Sequence, residues 1–106
     1  METKKVIIGF SNGNVVYSDN QDYNYSFIRL VEHHLNELLK YRGFITLEDV
    51  LKNLGFDDRA IMEMIIMHGN YTWRVNDCVD IDINPYRKDL NLDPEIAIDV
   101  TNLDTF

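Results

Sequence analysis

Thr46-Leu47-Glu48-Asp49-Val50-Leu51-Lys52-Asn53-Leu54-Gly55, residues 46–55, carries both ends of a helix in one short stretch. Thr46 and Asp49 stand three apart, the spacing of a capping box. In that motif a hydroxyl accepts the N–H of the third helical residue and the acid reaches back to the cap's own N–H, with Asp here in place of the preferred Glu. Leu47, Val50, Leu51 and Leu54 give an apolar stripe, and Gly55 supplies the stop. A short helix with one apolar face must pack on other elements, so the fold is read outward from this stretch.

Upstream, Phe27, Val31, Leu35 and Leu38 recur at spacings of four and three, flanked by Ile28, Leu30 and Leu39. That period predicts a longer helix over about Tyr23–Tyr41, ended by Gly43. Downstream, Asp57 or Asp58 can cap a third segment in which Ile61, Met62, Ile65 and Ile66 repeat helically and Gly69 closes. Its Met and Ile content suits a buried strand equally. From Tyr71 the period becomes two. Thr72–Val75, a turn at Asn76-Asp77 and Val79–Ile83 predict a β-hairpin, with Val79, Ile81 and Ile83 on one face and Asp80 and Asp82 in water.

Near the start, Val6, Ile8 and Phe10 alternate before Ser11-Asn12-Gly13-Asn14, and Val15-Val16-Tyr17 returns. Asn-Gly suits a type I′ turn, whose central residues both need positive φ, so this too is an expected hairpin. At the other end, residues 95–100 alternate again, as a further strand or as an arm that docks on a neighbour. The segment 85–106, with Pro85 and Pro94, reads alternatively as an extended acidic tail. The expectation is one α+β domain over 1–106: an N-terminal β-hairpin, two or three helices, a second β-hairpin and a C-terminal strand.

Hydrophobic residues make up 45% and charged residues 26%, an ordinary globular balance rather than a disordered one. No apolar run approaches the roughly 20 residues of a membrane span, and the N-terminal stretch lacks the apolar segment of a signal peptide. With a single cysteine, Cys78, no internal disulfide forms, and the expected setting is a reducing cytoplasm. Net charge is −8. Residues 1–50 hold seven acids against five bases and residues 51–106 eleven against five, so the C-terminal half is the anionic one. Clustered Lys and Arg, which nucleic-acid affinity needs, are missing.

The soft metal ligands are His33, His34, His68 and Cys78. Adjacent histidines point about 100° apart on a helix and do not chelate one ion, so no metal site is expected. Asp77, Asp80 and Asp82 have neither the alternation, the glycine nor the final Glu of a calcium loop. Cys78 has no catalytic motif around it, and no Gly-rich phosphate loop occurs. A non-enzymatic protein without cofactor is therefore expected.

A short helix, a glycine turn, a second helix from Asp57 and a hairpin follow the order of a winged helix. The candidate recognition helix, Asp58-Arg59-Ala60-Ile61-Met62-Glu63, carries one base and two acids, so such a module would bind protein rather than DNA. Leu35-Asn36-Glu37-Leu38-Leu39, Arg42-Gly43-Phe44-Ile45-Thr46-Leu47, Val50, Leu54-Gly55 and Asp80-Ile81-Asp82-Ile83 carry a further likeness. Over about His34–Ile83 the chain resembles a family of short uncharacterised proteins encoded by phages and prophages of Gram-positive bacteria. The family's Gly-Trp step before the last hairpin is replaced here by Asn70-Tyr71-Thr72-Trp73. The resemblance implies a mobile-element accessory protein and carries no catalytic residue.

Acidity, size and this likeness lead to an expected protein-binding role in the cytoplasm of a bacterial host. In its most concrete form the chain inhibits a host defence protein, as an anti-CRISPR protein does. Asp77, Asp80, Asp82, Glu95 and Asp99 are the candidate residues for meeting a basic, nucleic-acid-binding protein partner. The alternative is a virion or assembly component that self-associates, as a homodimer for instance, through strand edges at Val6–Phe10 or Ile96–Val100. Neither reading involves direct contact with nucleic acid or membrane.

Overall fold

The structure, a computed structural model, describes residues 4–9, 21–77, 80–86, 95–101 and 103–105. Strand β1 (Lys5–Gly9) is followed by helix α1 (Gln21–Arg42), strand β2 (Phe44–Thr46) and helices α2 (Leu47–Asn53) and α3 (Asp58–His68). Strand β3 (Tyr71–Arg74), a 3-10 turn (Val75–Asp77), and strands β4 (Ile83–Tyr86), β5 (Glu95–Asp99) and β6 (Asp104–Thr105) complete the order. The α+β class is as expected. Residues 58–68 are helix, which resolves the choice between helix and buried strand.

The local signals in residues 46–69 act as their chemistry dictates. Thr46 Oγ1 accepts the Asp49 N–H at 3.3 Å, and Asp49 Oδ2 accepts the Thr46 N–H at 3.0 Å, a complete capping box. Asp57 caps α3 by accepting the Ala60 N–H at 2.8 Å. Gly69 ends α3 with φ +95°, and a Cβ there would lie 2.8 Å from Thr105 Cγ2. Both the backbone conformation and the space therefore call for glycine.

Among the described residues there are two three-stranded antiparallel sheets, in the orders β1-β5-β4 and β2-β3-β6. In the first, Val6 and Ile83 both lie opposite Ile98, and Ile8 lies opposite Ile96. All five of these side chains are buried. In the second, Ile45 pairs with Trp73, both fully buried, while Phe44 pairs with Arg74 on the exposed face. Ile28, Val31, Leu35 and Leu39 of α1 complete a core continuous with Leu47, Val50, Leu51 and Leu54 of α2. Phe27 and Leu38, expected at the stripe's centre, are its partly buried flanks, and Leu30 is 67% exposed.

Three expectations are corrected. First, the second hairpin does not form, because β3 and β4 belong to different sheets. Strand β3 has β2 on one side and β6 on the other, while β4 pairs with β5. The chain leaves β3 through the 3-10 turn, with the Val75 N–H bonded to the Gly43 carbonyl at 3.0 Å. The helix–helix–hairpin order expected of a winged helix is lost with it. Second, β2 precedes α2 and pairs with β3, an element that the sequence reading lacked. Third, residues 95–99 form the central strand of their sheet, flanked by β1 and β4, so Ile96–Ile98 offer no free edge for pairing between chains. The Asn12-Gly13 turn and the return strand Val15–Tyr17 lie outside the described residues; the described partner of β1 is β5. No helix among the described residues is long and apolar enough to cross a membrane.

Candidate functional site: an acidic recess beside helix α1

The segment Asp80–Ile83 is fastened to α1 by side chains that bond its backbone. Asn36 Oδ1 accepts the Ile81 N–H at 2.8 Å, and Asn36 Nδ2 donates to the Ile81 carbonyl at 2.9 Å. One helical turn earlier, Glu32 Oε2 accepts the Ile83 N–H at 2.7 Å, and Arg29 Nη1 donates to the Ile83 carbonyl at 3.3 Å. The spacing explains the fit. Four helical residues rise about 6 Å and two strand residues about 6.6 Å, so residues 32 and 36 meet residues 83 and 81 in antiparallel order. The helix supplies hydrogen bonds that an adjacent strand would otherwise give, which covers this edge of β4.

This fastening sets the direction of the acids. Ile81 and Ile83 turn into the core, and Asp80 and Asp82 face solvent. On the other side the Asp99 N–H donates to the Asp82 carbonyl at 3.1 Å, which brings the end of β5 alongside. Glu32, Asn36, Asp80, Ile81, Asp82, Asp99 and Thr101 line an open recess of about 390 Å³. Four of these seven are acids and none is a base.

Asp99 is held below the ordinary aspartate range, first by the Thr101 side chain and second by the Thr101 N–H, which donates to Asp99 Oδ1 at 2.9 Å. The Lys5 charge adds to this effect, and burial opposes it. The Thr101 hydroxyl also lies 3.4 Å from the Lys4 carbonyl. That contact is long and the acceptor is neutral, so the carboxylate is the stronger claimant for its single proton.

Of the five acids singled out in the sequence, Asp80, Asp82 and Asp99 meet in the recess. Asp77 ends the 3-10 turn. Glu95 opens β5, four residues from Asp99 and so about 13 Å away along the strand. Glu32, Asn36 and Thr101 were not foreseen. The signal for the first two was a pair of polar residues one turn apart beside the apolar stripe of α1.

Among the described residues, no group of three or more His, Cys, Asp or Glu side chains converges in a way that could hold a metal ion. Part of the reason is visible in the recess, where Glu32 and Asp99 oxygens are committed to backbone N–H groups. His33 and His34 are exposed on α1, and Cys78 lies outside the described residues.

A second surface has the opposite character. Of the apolar stripe foreseen on α3, Ile61 is buried and Ile65 partly so, whereas Met62 is 64% and Ile66 79% exposed. Ile61, Met62, Ile65 and Ile66 form one wall and the floor of a groove against α2, with Glu48, Lys52, Asp58 and Asn70 around it. Comparison with protein families, with curated proteins and with solved structures returns no match.

Proposed function

We propose that the chain is a non-enzymatic, protein-binding accessory protein of a phage or other mobile element, acting in the cytoplasm of a bacterial host. In this reading it inhibits a host defence protein, in the manner of an anti-CRISPR protein, by presenting its acidic recess to a basic surface. The observation that supports it is the convergence of Asp80, Asp82 and Asp99 with Glu32 on one open recess whose lining, among the described residues, carries no base. Such a recess suits the guanidinium or ammonium head of a partner's Arg or Lys, because several carboxylates can share its donors and the recess is held by a rigid helix. Charge of this kind also steers encounter with a cationic groove, an effect that salt weakens.

The test is a low-salt pull-down from host lysate with the tagged protein, followed by affinity measurement on the retained partner. One basic nuclease or defence protein, released as salt rises, is the expected result. Asp80→Asn, Asp82→Asn and Asp99→Asn together then weaken binding and flatten its salt dependence. Unchanged affinity in that triple variant refutes the electrostatic reading.

The exposed face of α3 favours a second reading, an assembly component that works by self-association. The central position of β5 removes Ile96–Ile98 from the strand edges available for it.

A further inference from the structure

We infer that two copies of this chain meet through α3, antiparallel, about a two-fold axis passing between Met62 and Ile66. The inference rests on the self-association reading and gives it a surface, a register and a partner, namely a second copy. Residues 62 and 66 lie one turn apart on the same helix face. Antiparallel pairing about that axis sets each Met62 against Ile66 of the other copy, two side chains that are 64% and 79% exposed. Beside them the groove between α2 and α3, floored by Ile61 and Ile65, lies against the same groove of the second copy.

The charges around the groove match a second copy in this register. The α2 and α3 helices form a hairpin, so the groove has two distinct ends. Lys52 near the end of α2 and Asp58 at the start of α3 mark one end. Glu48 and Asn70 mark the other, where Asn70 Oδ1 accepts the Glu48 N–H at 3.2 Å. An antiparallel two-fold lays one end over the other. Lys52 then faces Glu48 of the second copy and Asp58 faces its Asn70, each contact occurring twice. A parallel arrangement would place Lys52 on Lys52 and Asp58 on Asp58, so charge selects the antiparallel one.

Net charge separates this surface from the acidic recess. Two chains of −8 repel at long range, so screening by salt strengthens an apolar self-contact while it weakens capture of a cationic partner.

Sedimentation equilibrium of the full chain from about 1 µM to about 1 mM, at low and high salt, tests the inference. The expected result is a monomer–dimer equilibrium that tightens as salt rises and weakens about tenfold or more in Ile66→Glu, which puts a charge at the centre of the contact. Lys52→Glu weakens it, and adding Glu48→Lys restores it, because the swapped pair again has opposite signs. Ile66 is 79% exposed, so the variant keeps its fold, which far-ultraviolet circular dichroism and the unfolding midpoint verify. A monomer throughout the range overturns both the inference and the self-association reading. A dimer indifferent to Ile66→Glu and to the charge swap overturns the α3 contact alone and assigns self-association to another surface.

Discussion

Residues 46–69 and residues 80–86 are both short, both carry acids beside isoleucines, and both contribute buried side chains to the same core. They are held in opposite ways. In the first region the helix ends are satisfied by neighbours three or four residues away: Thr46 with Asp49, Asp57 with Ala60, Gly69 with Ile65; the Glu48 N–H, bonded to Asn70, reaches further. In the second it is satisfied across 45 to 54 residues by Asn36, Glu32 and Arg29 of α1. The first region is therefore specified largely by its own residues, while the second takes its conformation from a helix distant in sequence. The acidic recess stands on the second kind of segment, so its geometry depends on α1 as much as on its own acids.

The sharpest way to break this comparison is Asn36→Ala. It leaves both the N–H and the carbonyl of the buried Ile81 without their side-chain partner. Two stranded backbone groups cost about 3 kcal/mol, at 1–3 kcal/mol each with some recovery by relaxation. The measurement is urea unfolding, together with amide exchange at Ile81 and Ile83, which loses protection. Affinity for a cationic partner falls as well, since Asp80 and Asp82 lose their placement. A variant as stable as the parent shows that the segment holds itself, and the contrast between the two regions fails.

Legibility followed the same division. Helices α1 and α2, the caps of α2 and α3 and the glycine stops were readable, because each signal and its response lie within one turn of chain. The choice between helix and buried strand over residues 58–68 was not. The alternation of Ile81 and Ile83 with Asp80 and Asp82 was readable too, and it correctly placed the acids in solvent. Which strand those residues pair with was not. Period two states which side chains turn inward and is silent on the neighbour, so Thr72–Val75 and Val79–Ile83 looked like a hairpin when the two flanks of the turn belong to different sheets. Strand β2 escaped notice because three residues between a helix stop and a helix cap leave no period to read. Asn36 looked like one more polar residue on an exposed helix flank, and only the tertiary fold shows its amide reaching the Ile81 backbone. On α3 the apolar pattern suited helix and buried strand equally, and the helix that forms has an apolar face wider than this core covers.

The local side of the comparison predicts smaller losses. Thr46→Ala and Asp57→Ala each remove a helix cap, for about 1 kcal/mol. Both should lie clearly below Asn36→Ala in the same urea series, and equality would erase the distinction. Thr72 offers an effect of opposite sign. Its buried Oγ1 has no hydrogen-bond partner among the described residues, so Thr72→Val removes a desolvated hydroxyl at nearly constant shape. A gain of about 1 kcal/mol is expected, and a loss means the hydroxyl is satisfied in solution.

The smallest effect belongs to Asp99, where the two kinds of support meet. Its carboxylate is held by the side chain and N–H of Thr101, two residues on, while its own N–H reaches across to Asp82. Because its folded pKa lies below its unfolded one, its contribution to stability is fully present above the unfolded aspartate value of about 3.9. That contribution is lost as pH falls through the folded value. The stability gap between the parent and Asp99→Asn should accordingly be constant near neutral pH and close below about pH 4, measured as urea midpoints across a pH series. Thr101→Val should close part of the gap, since it removes the hydroxyl and leaves the N–H. A gap that persists unchanged at pH 2 contradicts the ionic origin of the effect. The same sign makes Asp99 a fixed anion throughout the neutral range. Salt therefore regulates its part in capturing a cationic partner, and neutral pH does not.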